Sequence, residues 1–179
     1  MLALGLKKGD RVGIYAPNMA EWTLVQYAAS RADLVLVNVN PSFTEPELEY
    51  CINKVGIKTL VMAERFKKSN YVKIVKNVIG DYYEGREIKN EHFPTLKNVV
   101  VIEDHVKDKT FYNLKDLYNL STQKEAQQLT EIEANIDFDA PTNIQFTSGT
   151  TGYPKGATLT HHNILNNAYF LTEVLKYDA

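Results

Sequence analysis

One cysteine, one tryptophan and no run of eighteen apolar residues characterise this chain of 179 residues. The lone Cys51 cannot close an internal disulfide, and a reducing compartment is its simpler setting. Without a long apolar run, no transmembrane helix is expected. Charge of one sign is not in excess either: 20 Lys+Arg against 22 Asp+Glu leave a formal net of −2. That balance argues against a dedicated nucleic-acid binder, which carries a basic excess, but not against an enzyme whose positive charge is local. Residues 1–10 lack the order of a signal peptide, since Lys7 and Lys8 follow the apolar residues, and they are not an Arg/Ser-rich transit peptide. What is present is ordinary globular material, 44% hydrophobic, 11% aromatic and 23% charged. This composition excludes low-complexity disorder. A compact chain of this length buries roughly 70% of its unfolded surface.

The pattern along the chain alternates. Residues 11–16 read as a strand closed by Pro17. Asn18, with Glu21 three residues on, predicts a capping box opening a helix to about Ala32, with Trp22, Val25 and Ala29 on its inner face. The apolar run 34–37 with Val39 suits a strand covered on both sides. Thr44 and Glu47 predict a second capping box, Leu48, Cys51, Ile52 and Val55 form one helical stripe, and Gly56 is placed for a C-terminal cap. Residues 58–62 are a third strand. Strand–helix–strand–helix–strand with short connections argues for a doubly wound α/β layer.

Further on, a basic helix is predicted over 69–80, an exposed loop over 81–94, a strand over 99–102, and short helices near 111–120 and 123–134. No Lys or Arg falls between Glu125 and Pro154, where five acidic residues predict an exposed approach to a strand at 143–147. Thr160 is placed to cap a last helix with Ile164, Ala168, Leu171 and Leu175 buried.

Chemistry concentrates directly after residue 147. The run Thr147-Ser-Gly-Thr-Thr-Gly-Tyr-Pro-Lys-Gly156 holds three of the nine glycines, four Ser/Thr hydroxyls and one lysine. Glycines let backbone N–H groups approach an oxyanion and turn through positive φ. Hydroxyls donate to phosphate oxygens, and Lys155 supplies a compact charge. The combination suits a triphosphate, although a plain Ser/Thr/Gly turn has the same composition. It is not a Walker A loop, which requires Lys then Ser/Thr after the last glycine; here Lys155 stands between Pro154 and Gly156.

Residues 145–157, Gln-Phe-Thr-Ser-Gly-Thr-Thr-Gly-Tyr-Pro-Lys-Gly-Ala, resemble the signature of the adenylate-forming superfamily of acyl-CoA synthetases, peptide-synthetase adenylation domains and luciferases. Thr158-Leu-Thr-His-His-Asn163, residues 5–14, Pro17-Asn18 and Val37-Asn-Val-Asn-Pro41 resemble the same family, so the likeness spans nearly the whole chain. Residues 143–146 and 38–41 are most similar to its mitochondrial medium-chain fatty acyl-CoA ligase branch. The resemblance implies part of a doubly wound parallel-sheet layer, with residues 1–179 a partial AMP-binding (adenylation) domain and the C-terminal domain absent. It implies a two-step ligase using ATP, Mg²⁺ and coenzyme A on a fatty acid. The ATP-contacting residues it implies are Thr147, Ser148, Gly149, Thr150, Thr151, Gly152, Tyr153, Pro154 and Lys155. The family's Mg²⁺ ligand, ribose aspartate and closing lysine have no counterpart here, so no catalytic or metal residue is assigned and the isolated chain is expected to have little ligase activity. A mitochondrial location follows by resemblance, with a cytoplasmic one left open. At Ala32-Asp33 the chain departs from the family, which usually has glycine there.

Other residues read more plainly. Cys51 is expected in the core. Trp22 and the eleven tyrosines are expected in packing or rim positions. His161 and His162 are read as a helix cap or a donor near the phosphates rather than metal ligands, and Glu131, Asp137 and Asp139 as solvated carboxylates. Asn119-Leu-Ser121 matches a glycosylation acceptor by chance. Two rivals to the ligase reading stand at this point: a non-catalytic nucleotide-binding or interaction module, and an unrelated phosphate-binding hydrolase.

Overall fold

A computed structural model describes residues 1–105, 108–147 and 153–177. The strands are β1 (Arg11–Tyr15), β2 (Val35–Asn38), β3 (Ile57–Met62), β4 (Arg65–Phe66), β5 (Ser69–Asn70), β6 (Tyr83–Glu84), β7 (Glu87–Ile88), β8 (Asn98–Val101), β9 (Tyr112–Asn113), β10 (Pro141–Thr147) and β11 (Lys155–Thr160). The helices are α1 (Ala20–Arg31), α2 (Glu45–Val55), α3 (Tyr71–Ile79), α4 (Leu114–Leu120), α5 (Gln123–Glu133) and α6 (His161–Leu175). Seven strands form one sheet in the order β11-β10-β2-β1-β3-β8-β9. It is parallel throughout except for the antiparallel β10–β11 pair. From β1 the chain moves outward to β2 and then back past β1 to β3. Right-handed crossovers in opposite directions put α1 and α2 on opposite faces. The expected doubly wound layer is therefore present. Its central strands are rich in apolar residues because helices cover both sides: Val12, Ile14, Leu36, Val37, Leu60 and Val100 are all buried.

The Thr44 box forms as predicted, the Glu47 carboxylate accepting from the Thr44 N–H at 2.8 Å. Gly56 closes α2 at φ 65°. A Cβ there would come within 2.6 Å of Arg11 Nη2, and Arg11 Nε donates to the Val55 carbonyl at 2.7 Å. Gly56 thus lets a strand residue cap the helix. Cys51 is buried, and burial pushes its thiol up to about 12. A thiolate-dependent reagent such as iodoacetamide is therefore expected to leave native Cys51 unmodified at pH 8 and to react fully in denaturant. Equal rates in the two states would contradict its burial.

The Ala32-Asp33 departure has a backbone cause. Asp33 follows the end of α1 at φ 52°, a left-handed conformation that glycine adopts without cost. Aspartate tolerates it better than most residues, and here the buried carboxylate pairs with Lys8 at 2.6 Å.

Several expectations are corrected. The residue capping α1 is Met19, not Asn18, and no side chain caps that end. Met19 and Trp22 pack against the core, and this contact overrides the capping box. Residues 81–94 are not a bare loop: β6 and β7 pair as a hairpin, and Ile88 and Phe93 are buried. Residues 111–120 begin with buried Phe111 and β9 before α4 forms. Strand β11 lies beyond the sequence reading, because its only alternation is the short Ala157/Leu159 pair against Thr158 and Thr160. Its partner β10 defines it. Helix α6 forms under the predicted Thr160 cap, which accepts from Asn163 N–H at 3.1 Å, but it buries no residue. Its apolar stripe is real, yet no described element packs over it, so Leu171 and Leu175 stay about half exposed.

Candidate phosphate-binding site

Strand β10 runs parallel to β2, so Thr147 lies at the carboxyl edge of the sheet. Open α/β sheets bind ligands outside that edge. The chain returns as β11 with Thr147 opposite Lys155 and Phe146 opposite Gly156. Thr147 Oγ1 lies 3.4 Å from the Lys155 carbonyl. The glycine-rich run therefore springs from two paired stems. Of the expected contact residues, Thr147, Tyr153, Pro154 and Lys155 are brought to this edge. Ser148, Gly149, Thr150, Thr151 and Gly152 lie outside the described residues.

The described stems suit an anion. Lys155 is exposed and has no ion pair among the described residues, leaving its charge free for a ligand. Gly156 is small for a packing reason: a Cβ would lie 3.2 Å from Ile144 Cγ2 and 3.5 Å from Val55 Cγ1. The return strand can thus lie close over the end of α2. Tyr50 on α2, which sequence reasoning did not single out, touches both stems through Phe146, Tyr153 and Pro154. Only its position on the half-buried flank of an amphipathic helix hinted at this. Among the described residues there is no cluster of three or more His, Cys, Asp and Glu side chains able to hold a metal, so no residue here is assigned to Mg²⁺.

His161 and His162 lie at the far end of β11 from the stems of the glycine-rich run. They follow Thr160, five residues along β11 from Lys155, about 17 Å at strand rise. His162 Nδ1 is 3.2 Å from Asp139, and His161 Nδ1 is 3.5 Å from Ser30 Oγ. Asp137 accepts from the Asp139 N–H, and Glu133 pairs with Arg31. Glu131, Asp137 and Asp139 are exposed, as expected of solvated carboxylates. On the basic helix α3, Lys76 pairs with Asp108 and sits over the Phe111 ring.

The model of the AMP-binding enzyme family matches residues 1–178. The chain belongs to this family. It is 41% identical over 180 residues to a protein of Danio rerio named mitochondrial medium-chain acyl-CoA ligase ACSF2, covering 99% of this chain and 29% of that one. The human protein of the same name is 38% identical over 178 residues, at 98% and 29% coverage. A putative acyl-CoA synthetase, YngI, of Bacillus subtilis is 33% identical over 177 residues, at 98% and 32%. The chain therefore spans about 29% of the length of the mitochondrial ligases it matches. Among solved structures, a putative long-chain-fatty-acid CoA ligase from Rhodopseudomonas palustris shares the fold. Its TM-score is 0.71 at 19% identity, over 98% of this chain and 37% of that one. The anthranilate CoA ligase AuaEII gives a TM-score of 0.65 at 19% identity, over 89% and 26%.

Proposed function

We propose that this chain supplies the triphosphate-gripping part of an ATP-dependent, medium-chain fatty acyl-CoA synthetase that works in mitochondria. A single observation carries the reading: a Gly/Ser/Thr-rich run is mounted between paired strands at the carboxyl edge of a parallel sheet, with Lys155, which has no ion pair among the described residues, on its return stem. Likeness to relatives named medium-chain acyl-CoA ligases supplies the substrate class and the compartment.

A carboxylate is a poor electrophile, and adenylation turns it into a good one. Its oxygen attacks the α-phosphorus of ATP, the bond to the bridging oxygen breaks, and pyrophosphate leaves. The thiol of coenzyme A then attacks the acyl carbon and AMP departs, leaving a thioester. Mg²⁺, when bound, shares the negative charge on the phosphates. Lys155 balances charge on the departing phosphates. The hydroxyls of Thr147, Ser148, Thr150 and Thr151 donate to their oxygens, and Gly149 and Gly152 admit the backbone. Tyr153 and Pro154 complete the turn into the return stem.

Titration calorimetry of the 179-residue chain with MgATP, with inorganic tripolyphosphate as competitor, tests this reading. Binding that tripolyphosphate displaces and adenosine does not is the expected result. No binding, or displacement by adenosine alone, would overturn it. Conversion of bound ATP to ADP rather than AMP would favour the hydrolase reading instead.

A further inference from the structure

We propose that Tyr50 is the positioning residue that determines where the glycine-rich run re-enters the sheet, and hence where Lys155 stands. Its effect on a phosphate ligand rests on the function proposed above. Three contacts converge on this one side chain of α2. Its hydroxyl donates to the Pro154 carbonyl at 3.2 Å. Its ring lies 5.0 Å from that of Tyr153, at an interplanar angle of 31°. It also meets Phe146 edge-on, with centroids 6.5 Å apart. Phe146 is on the outgoing strand and Tyr153 and Pro154 precede the returning one, so Tyr50 grips both stems at once.

The grip is needed at this point. Pro154 has no N–H for the ladder, and pairing resumes only with Lys155 opposite Thr147. Tyr50 is itself well anchored, because α2 buries Leu48, Cys51 and Ile52 against the core. A neutral phenol also positions the stem without competing with Lys155 for a polyanion. Beside it opens a groove of about 590 Å³, lined in part by Asn53, Lys54, His92 and Tyr153. Hence Tyr50 is not sealed inside the core, and its loss would be felt at the stem more than in the fold.

The test compares parent, Tyr50→Phe and Tyr50→Leu in the full chain by amide hydrogen exchange, thermal unfolding and MgATP titration. Removing one hydrogen bond and two ring contacts should speed exchange at Lys155 and Gly156 about tenfold in Tyr50→Leu. Exchange at Leu60 and Val61 of β3 should stay unchanged. MgATP binding should weaken about fivefold, and Tyr50→Phe, which keeps the ring, should recover part of both effects. Unchanged exchange at Lys155 and Gly156, or an equal rise across β3, would overturn the proposal. If the parent chain binds no MgATP, the proposed function fails while the exchange data still decide the role of Tyr50.

Discussion

Lys155→Ala is expected to weaken MgATP binding by about 10- to 100-fold, the equivalent of one charge-assisted phosphate contact of about 1.5–3 kcal/mol. The side chain is exposed and free of ion pairs among the described residues, so the fold does not use its charge. The thermal midpoint should therefore stay within the small range of surface substitutions. The difference between parent and variant should widen at low salt, because the screening length grows from about 8 Å at 0.15 M to about 30 Å at 0.01 M. Lys155→Arg retains charge but replaces a point cation with a planar fork, and should recover only part of the affinity. Parallel titrations at the two salt concentrations check all of this. Identical affinities for parent and Lys155→Ala would remove Lys155 from the site.

Tyr71→Ala should cost about 3–5 kcal/mol, as aromatic truncations in a packed core do, out of a total stability of about 5–15 kcal/mol. Tyr71 is fully buried, and its ring stacks on that of Tyr15 with centroids 3.9 Å apart. The two hydroxyls donate to the Pro41 carbonyl at 2.6 Å and the Phe43 carbonyl at 2.5 Å. Together they pin the segment that delivers Thr44 to the start of α2. Tyr71→Phe keeps the ring and loses one hydrogen bond, so about 1 kcal/mol is expected. Chemical denaturation of parent, both variants, Tyr15→Phe and the Tyr15→Phe/Tyr71→Phe pair measures these costs and the coupling of the two hydroxyls. A Tyr71→Ala cost below that of Tyr71→Phe would refute the packing argument. Burial also pushes the Tyr71 phenol up to about 12, against about 10 in the unfolded chain. The folded state therefore keeps the proton longer. Its stabilisation is complete below pH 10 and is lost as the pH rises toward 12.

The elements legible in sequence were those whose signal is local. Thr44 and Glu47 bracket one turn of backbone, and Gly56 marks a positive φ, so α2 could be placed to the residue. The apolar runs 34–37, 60–62 and 99–102 carry no polar face and read as buried strands. By contrast, Asn18 and Glu21 satisfy the same capping pattern as Thr44 and Glu47. Packing of Met19 and Trp22 set the helix start instead. Strand β11 carries almost no pattern, because an exposed edge strand has no face to bury. Its existence depends on β10 lying beside it. The stripe on α6 showed that an apolar face exists but could not show what packs on it.

For the candidate site, residue types and order were readable from 147 to 156, since glycine, hydroxyl and lysine declare their chemistry wherever they stand. Tyr50 was not readable. It lies 104 residues from Pro154, and only folding brings the two together.

Sequence by itself determined the periodicities, the caps of α2 and α6, the apolar runs of the central strands and the anion-suited run, because each depends on neighbours within a few residues. Tertiary structure alone decided the strand order, the antiparallel return of β11, the exposure of α6, and the grip of α2 on both stems of the loop. These depend on which distant surfaces exclude water together, and no local pattern encodes that choice.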